Sequence, residues 1–217
     1  MAENHKTGLV LLAAGASTRM GQPKQLLRHQ GESLLLRALR IALEASFRPV
    51  AVVLGARAEE LEAELAGTEE SASALIVHNS AWASGMGSSV ATGLEALLLR
   101  EPALEAACFI LVDQPHLTSA HLLELHRQLE RAPEKLGAAS AYEPTLGVPA
   151  IFRKSLFPEL LELHGQKGAQ PLLKKYKDQI LSVPFPKGKI DLDTPEDWDE
   201  FLRNETGQAG RAGKGEK

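Results

Sequence analysis

Cysteine is nearly missing from this chain: Cys108 is the single one in 217 residues. An internal disulfide and a cysteine metal cluster are thereby excluded, and the apolar run 106–112 around Cys108 reads it as a small core residue. An excess of one charge is missing too. With 24 Lys plus Arg against 28 Asp plus Glu the formal net charge is -4, so no global basic field exists and no nucleic-acid partner is expected. No apolar run reaches the roughly 18 to 20 uncharged residues of a membrane span, and no membrane partner is expected either. The apolar stretch Leu9 to Ala14 is too short for a signal segment with its cleavage site, which points to a cytoplasmic location. None of the seven histidines forms an HExxH pair, and His121 and His126 are five apart, a poor spacing for one helix face. A catalytic zinc is not expected.

What is present suits a packed protein. Hydrophobic residues make up 44% and charged residues 24%, and a chain of this length buries roughly 70% of its unfolded surface. Short apolar runs, Leu9 to Ala13, Val50 to Leu54, Ala74 to Val77 and Ala107 to Val112, alternate with stretches of helical period such as Leu34, Leu35, Ala38, Leu39, Ala42 and Leu43. That alternation predicts an α/β fold in a single domain: a Rossmann-like, mostly parallel sheet with helices on both faces. Further on come a helix over about Ser119 to Leu129 capped by Thr118 or Ser119, a strand near Gly137 to Ala141, and a segment Val148 to Phe152. The domain is expected over 7–204. The glycine-rich stretch 205–217 reads as a flexible tail. Trp82 and Trp198 read as packing residues rather than stacking platforms.

Three turn-rich stretches, Gly15 to Lys24, Asn79 to Ser88 and Asp113 to His116, each follow a predicted strand. In an open parallel sheet such loops gather at the carboxyl edge, where ligands bind. The first has small residues at 13–17, which let backbone N–H groups approach an anion, and places Arg19 and Lys24 as cations beside it. It is neither GxxxxGK[ST] nor GxGxxG, since Gly15 and Gly21 are six apart and Lys24 follows three later. The run Leu111-Val112-Asp113-Gln114-Pro115 delivers one carboxylate to the same edge, and magnesium commonly joins one or two carboxylates to substrate phosphates.

These motifs carry a resemblance. LAAGxSxRMGxxKxLL near the N-terminus and LVDQP about 90 residues later resemble the nucleotidyltransferases of the molybdenum cofactor type, as do Asn79 to Leu94, Gly147 to Phe152, Gly165 to Ala169 and Asp191 to Asp197. The Ala13-Ala14-Gly15 loop and its continuation Gly21 to Leu27 are most similar to the cytidylyltransferase branch. The resemblance implies the nucleotide-diphospho-sugar transferase type of fold. It further implies transfer of a nucleoside monophosphate, CMP from CTP, to the phosphate of molybdopterin with loss of pyrophosphate. In that frame Arg19, Lys24 and Asp113 are the expected catalytic residues, and Ala13, Ala14, Gly15, Arg19, Lys24, Asn79, Gly85, Ser88 and Ser89 the expected nucleotide-binding ones. Mg2+ on Asp113, with Asp191 as its second carboxylate, is the expected cofactor, while Asp193 or Thr194 caps the following helix. Gly147, Pro149 and Lys167 are expected at the acceptor, and a molybdoenzyme or its maturation factor is an expected docking partner. Gln170 and Gln166 depart from the arginine and aspartate many relatives carry. Two alternatives stay open: a sugar- or polyol-phosphate nucleotidyltransferase, and a non-catalytic protein that binds and delivers the cofactor.

Overall fold

The computed structural model describes residues 6–142, 144–189 and 192–212. Its strands are β1 (Thr7–Leu12), β2 (Arg28–His29), β3 (Glu32–Ser33), β4 (Val50–Leu54), β5 (Leu75–His78), β6 (Ala106–Leu111), β7 (Gly137–Ala141), β8 (Leu146–Arg153) and β9 (Ile180–Pro184). The helices are α1 (Leu34–Glu44), α2 (Ala58–Leu65), α3 (Glu69–Ala72), α4 (Met86–Arg100), α5 (Ser119–Glu130), α6 (Phe157–Leu161), α7 (Gln170–Lys175) and α8 (Pro195–Ala212). Seven strands form one sheet in the order β5-β4-β1-β6-β8-β7-β9, and β2 and β3 pair as a small hairpin. The pairs β1·β4, β1·β6, β4·β5 and β7·β9 are parallel; β8 alone runs against its neighbours.

The two-residue period of the strands divides the core in two. In β1, Leu9 and Leu11 enter the layer covered by α1, α2, α5 and α8, while Val10 and Leu12 enter the layer covered by α4, α6 and α7. Both faces being buried, the strands read as continuous apolar runs, and Cys108 on β6 is one of the fully buried residues. Burial pushes its thiol pKa up, consistent with an inert packing role. The helices begin where their caps are: Ser33 accepts from the Leu36 N–H, and Thr118 from the His121 N–H. At α8, Thr194 accepts from the Asp197 N–H while the Asp197 carboxylate accepts from the Thr194 N–H, a reciprocal box that makes Thr194 the cap.

The helix α8 runs over Pro195–Ala212 and so extends into the stretch read as a tail; the rest of that stretch lies outside the described residues. Phe201 is buried against the sheet layer and Trp198 and Leu202 pack beside it. β8 is also longer than the expected segment, starting at Leu146. Among the described residues no helix is long and apolar enough to cross a membrane.

Candidate functional site

The loop that leaves β1 is held from below by one side chain. Gln25, only 2% exposed, donates from Nε2 to the carbonyls of Ala13 (2.9 Å) and Gly15 (2.8 Å). Its Oε1 accepts from the Ser17 hydroxyl at 3.2 Å, and Ser17 Oγ in turn accepts from the Lys24 N–H. The carbonyl between, that of Ala14, accepts from the Ala56 N–H at 3.0 Å. Residues 13–16 therefore form a fixed turn, and they line a cleft of about 340 Å³ together with Lys24, Gln25, Trp82, Ser89 and Asp113. Gly15 has open space around it, so the backbone there is approachable.

Four charged side chains meet at the mouth of this cleft. Lys24 Nζ makes a short contact with Asp113 Oδ2 and lies 3.2 Å from Asp193 Oδ1, while Arg19 reaches Asp193 Oδ2 at 2.7 Å. Burial lowers the Lys24 pKa, but the charges of Asp113 and Asp193 outweigh it and the ammonium is held above the ordinary lysine range. Asp113 stands at the carboxyl end of β6, 8% exposed, and its Oδ1 is buried with no hydrogen-bond partner. Arg19 is the outer member, with 70% of its side chain exposed. Asp191 lies outside the described residues. Asp193, just ahead of α8, reaches Arg19 and Lys24. Among the described residues no three His, Cys, Asp or Glu side chains converge on one point.

Asn79, Ser88 and Ser89 are placed together but turned on one another. Asn79 Nδ2 donates to both hydroxyls at 2.9 Å and its Oδ1 accepts from the Ala81 N–H. This closes the turn before α4, and of the three only Ser89 lines the cleft. Gly85 lines it as well, at φ +120°, and its missing Cβ leaves room for the carbonyl of Gly165, which also accepts from the Gly87 N–H at 2.9 Å. The two loops are thus locked to each other. Trp82 packs where a Cβ on Gly55 would collide with it, and its other side faces the cleft.

A second cavity of about 750 Å³ opens beyond Met86, Leu111 and Gln166, which line both spaces. Gly147, Gln114, Tyr142, Lys167, Gln170 and Lys174 are on its walls. Gly147 and Lys167, two of the residues expected at the acceptor, share this cavity; Pro149 is not on its wall, and its carbonyl accepts from the Ser140 hydroxyl at 2.9 Å. Gln114, absent from the expected set, is 4% exposed and donates to Tyr142 Oη and the Val148 carbonyl, which ties the end of β6 to β8. Gln25 was likewise missed. No sequence signal marks either glutamine, since its partners are set only by the fold.

Comparison with known proteins gives one family. Residues 9–180 match the MobA-like NTP transferase domain. The purine catabolism protein PucB of Bacillus subtilis is 31% identical over 89% of this chain and 95% of its own. A probable molybdenum cofactor guanylyltransferase of Nostoc is 32% identical over 89% of both chains. Among solved structures, Rv0371c of Mycobacterium tuberculosis superposes with a TM-score of 0.75 at 27% identity, covering 92% of this chain and 99% of that one, and has also been solved with manganese.

Proposed function

The chain belongs to the MobA-like NTP transferase family and is a nucleotidyltransferase, and we propose that it transfers CMP from CTP to the phosphate of a molybdopterin-type acceptor with magnesium as cofactor. The observation that carries this reading is the contact of Lys24 with Asp113 beside the turn of residues 13–16, at the carboxyl edge of the sheet. In it a cation for phosphates and a carboxylate for a metal stand at one cleft. The cytosine assignment rests on Ala13-Ala14-Gly15 and the Gly21 to Leu27 continuation; the Nostoc relative is named for guanine, which makes the nucleobase the first thing to test.

The acceptor phosphate is already anionic at neutral pH, so no general base is needed. Its oxygen bonds to the α-phosphorus as the bond from that phosphorus to the bridging oxygen breaks, and pyrophosphate departs with the electron pair. Lys24 and Arg19 balance the charge that gathers on the leaving group. The residues fit a hard divalent cation: Asp113 Oδ1 is a buried oxygen without a partner, and Asp193 supplies a second carboxylate across Lys24. Magnesium held there would neutralise the phosphates and favour attack. Lys167 and Lys174 would meet the anionic acceptor in the second cavity.

The test is a turnover matrix of CTP, GTP, ATP and UTP against molybdopterin and sugar phosphates, read as pyrophosphate release with and without Mg2+. CTP with molybdopterin is expected to dominate. Preference for GTP would overturn the nucleobase, and turnover of sugar phosphates the acceptor. Tight binding without any turnover would mean a delivery protein.

A further inference from the structure

We propose that Gln25 is the positioning residue that turns the loop amides toward the triphosphate, an inference that rests on the nucleotidyltransferase reading above. In a trans peptide the C=O and the following N–H point in opposite directions. The carbonyls of Ala13 and Gly15 both point at Gln25 Nε2, so the N–H groups of Ala14 and Ala16 point away from it. The Ala14 carbonyl is drawn to the Ala56 N–H, which orients the N–H of Gly15 in the same indirect way. None of these three N–H groups donates to an acceptor among the described residues, although Ala14 is buried. Such free donors, beside Lys24 in a cleft, are anion ligands held ready in advance.

The chemistry of the amide is what the position requires. A carbonyl can only accept, so the end of Gln25 facing Ala13 and Gly15 must be its NH2, and the other end must be the oxygen that takes the Ser17 hydroxyl. One side chain thereby satisfies two carbonyls that would otherwise be free to rotate into the cleft and repel phosphate. Through Ser17 the same chain reaches the Lys24 N–H, so the turn and its cation are set by one hydrogen-bond path. A glutamate of equal size would keep the Ser17 contact and lose both donations.

Calorimetric titration of the full chain with inorganic tripolyphosphate, CTP and cytidine tests this, alongside steady-state kinetics. For Gln25→Met, tripolyphosphate and CTP are expected to bind about tenfold more weakly, with KM for CTP rising by a similar factor, kcat held within about twofold and cytidine binding unchanged. A general loss of structure would weaken cytidine as well. Unchanged tripolyphosphate affinity, or a parallel loss of cytidine, overturns the assignment. If Gln25→Met does not fold, Ser17→Ala decides, with an expected loss of about threefold for tripolyphosphate; wild-type affinity there also overturns it. If the unaltered protein binds neither CTP nor tripolyphosphate, the nucleotide-binding reading fails first.

Discussion

The two cavities handle charge in opposite ways. At the first, Lys24 and Arg19 are already spoken for by Asp113 and Asp193. At the second, Lys167 and Lys174 form no ion pair among the described residues. Paired charges in a partly buried site offset one another's desolvation, and on the proposed reading ligand entry would exchange partners: phosphate for carboxylate on Lys24, metal for ammonium on Asp113. Unpaired lysines carry no such competition. They offer a net positive wall whose attraction for an anion is weaker per contact, being solvated, but needs nothing displaced. On the proposed reading, the first cavity would serve the reacting phosphorus and the second would capture the acceptor.

The sharpest way to break this contrast is at Lys24. Lys24→Ala leaves Asp113 and Asp193 facing each other without the cation and removes the charge nearest the phosphates; kcat/KM is expected to fall about 10²- to 10³-fold in the pyrophosphate-release assay. A loss below tenfold would mean that the pair serves structure alone. Next in size is Asp113→Asn against Asp193→Asn. Asp113 carries the buried free oxygen, so its replacement is expected to cost about 10²-fold and to raise the Mg2+ concentration for half-maximal rate; the more exposed Asp193 is expected to cost about tenfold. Equal effects would remove the distinction between the two carboxylates.

Much of the first cavity was legible in the sequence because its parts are local. A β-strand ending in small residues and a glycine, with two cations behind it, specifies its own loop, and Asp113 follows an apolar run that can only be a buried strand. The strands at 9–13, 50–54 and 107–112 were legible for the same reason: continuous apolar runs leave no exposed face. What stayed hidden depends on distance. The bond from Arg19 to Asp193 spans 174 positions, and only the fold brings the two together. Gln25 and Gln114 were invisible because a glutamine advertises no role until its partners are known. Asn79 has two readings for a related reason: its amide can read a base or tie a loop, and its bonds to Ser88 and Ser89 tie the loop.

The second cavity is sharpened by a smaller change. Lys167→Ala removes one solvated cation, so KM for the acceptor is expected to rise about three- to tenfold while KM for the nucleotide stays the same. A matched rise in both would place Lys167 on the nucleotide and dissolve the division between capture and reaction.

The smallest expected effect lies behind the second cavity and concerns pH. His121 stacks on Phe185 with centroids 4.2 Å apart, and its Nε2 is 2.8 Å from Ser140 Oγ. Ser140 spends its one proton on the Pro149 carbonyl, so it must accept from His121, which therefore carries a proton on Nε2. Burial holds the His121 pKa below the ordinary histidine value, against the opposing charge of Glu124. A histidine depressed in the folded state binds its proton more readily when unfolded, so its contribution is complete above the unfolded value near 6.5 and is lost as the pH falls through the folded one. His116 and His126 are depressed for the same leading reason and act in the same direction. Urea midpoints are expected to be level from about pH 7 to 8 and to decline on acidification below about 6.5, with the decline shallower in His121→Gln, which cannot take up a proton. Lys24 works at the other end: its raised value means its contribution persists through neutral pH and is lost only above the ordinary lysine range. If His121→Gln left the acid slope unchanged, His121 would not carry the acid response, which would lie with His116 and His126 instead.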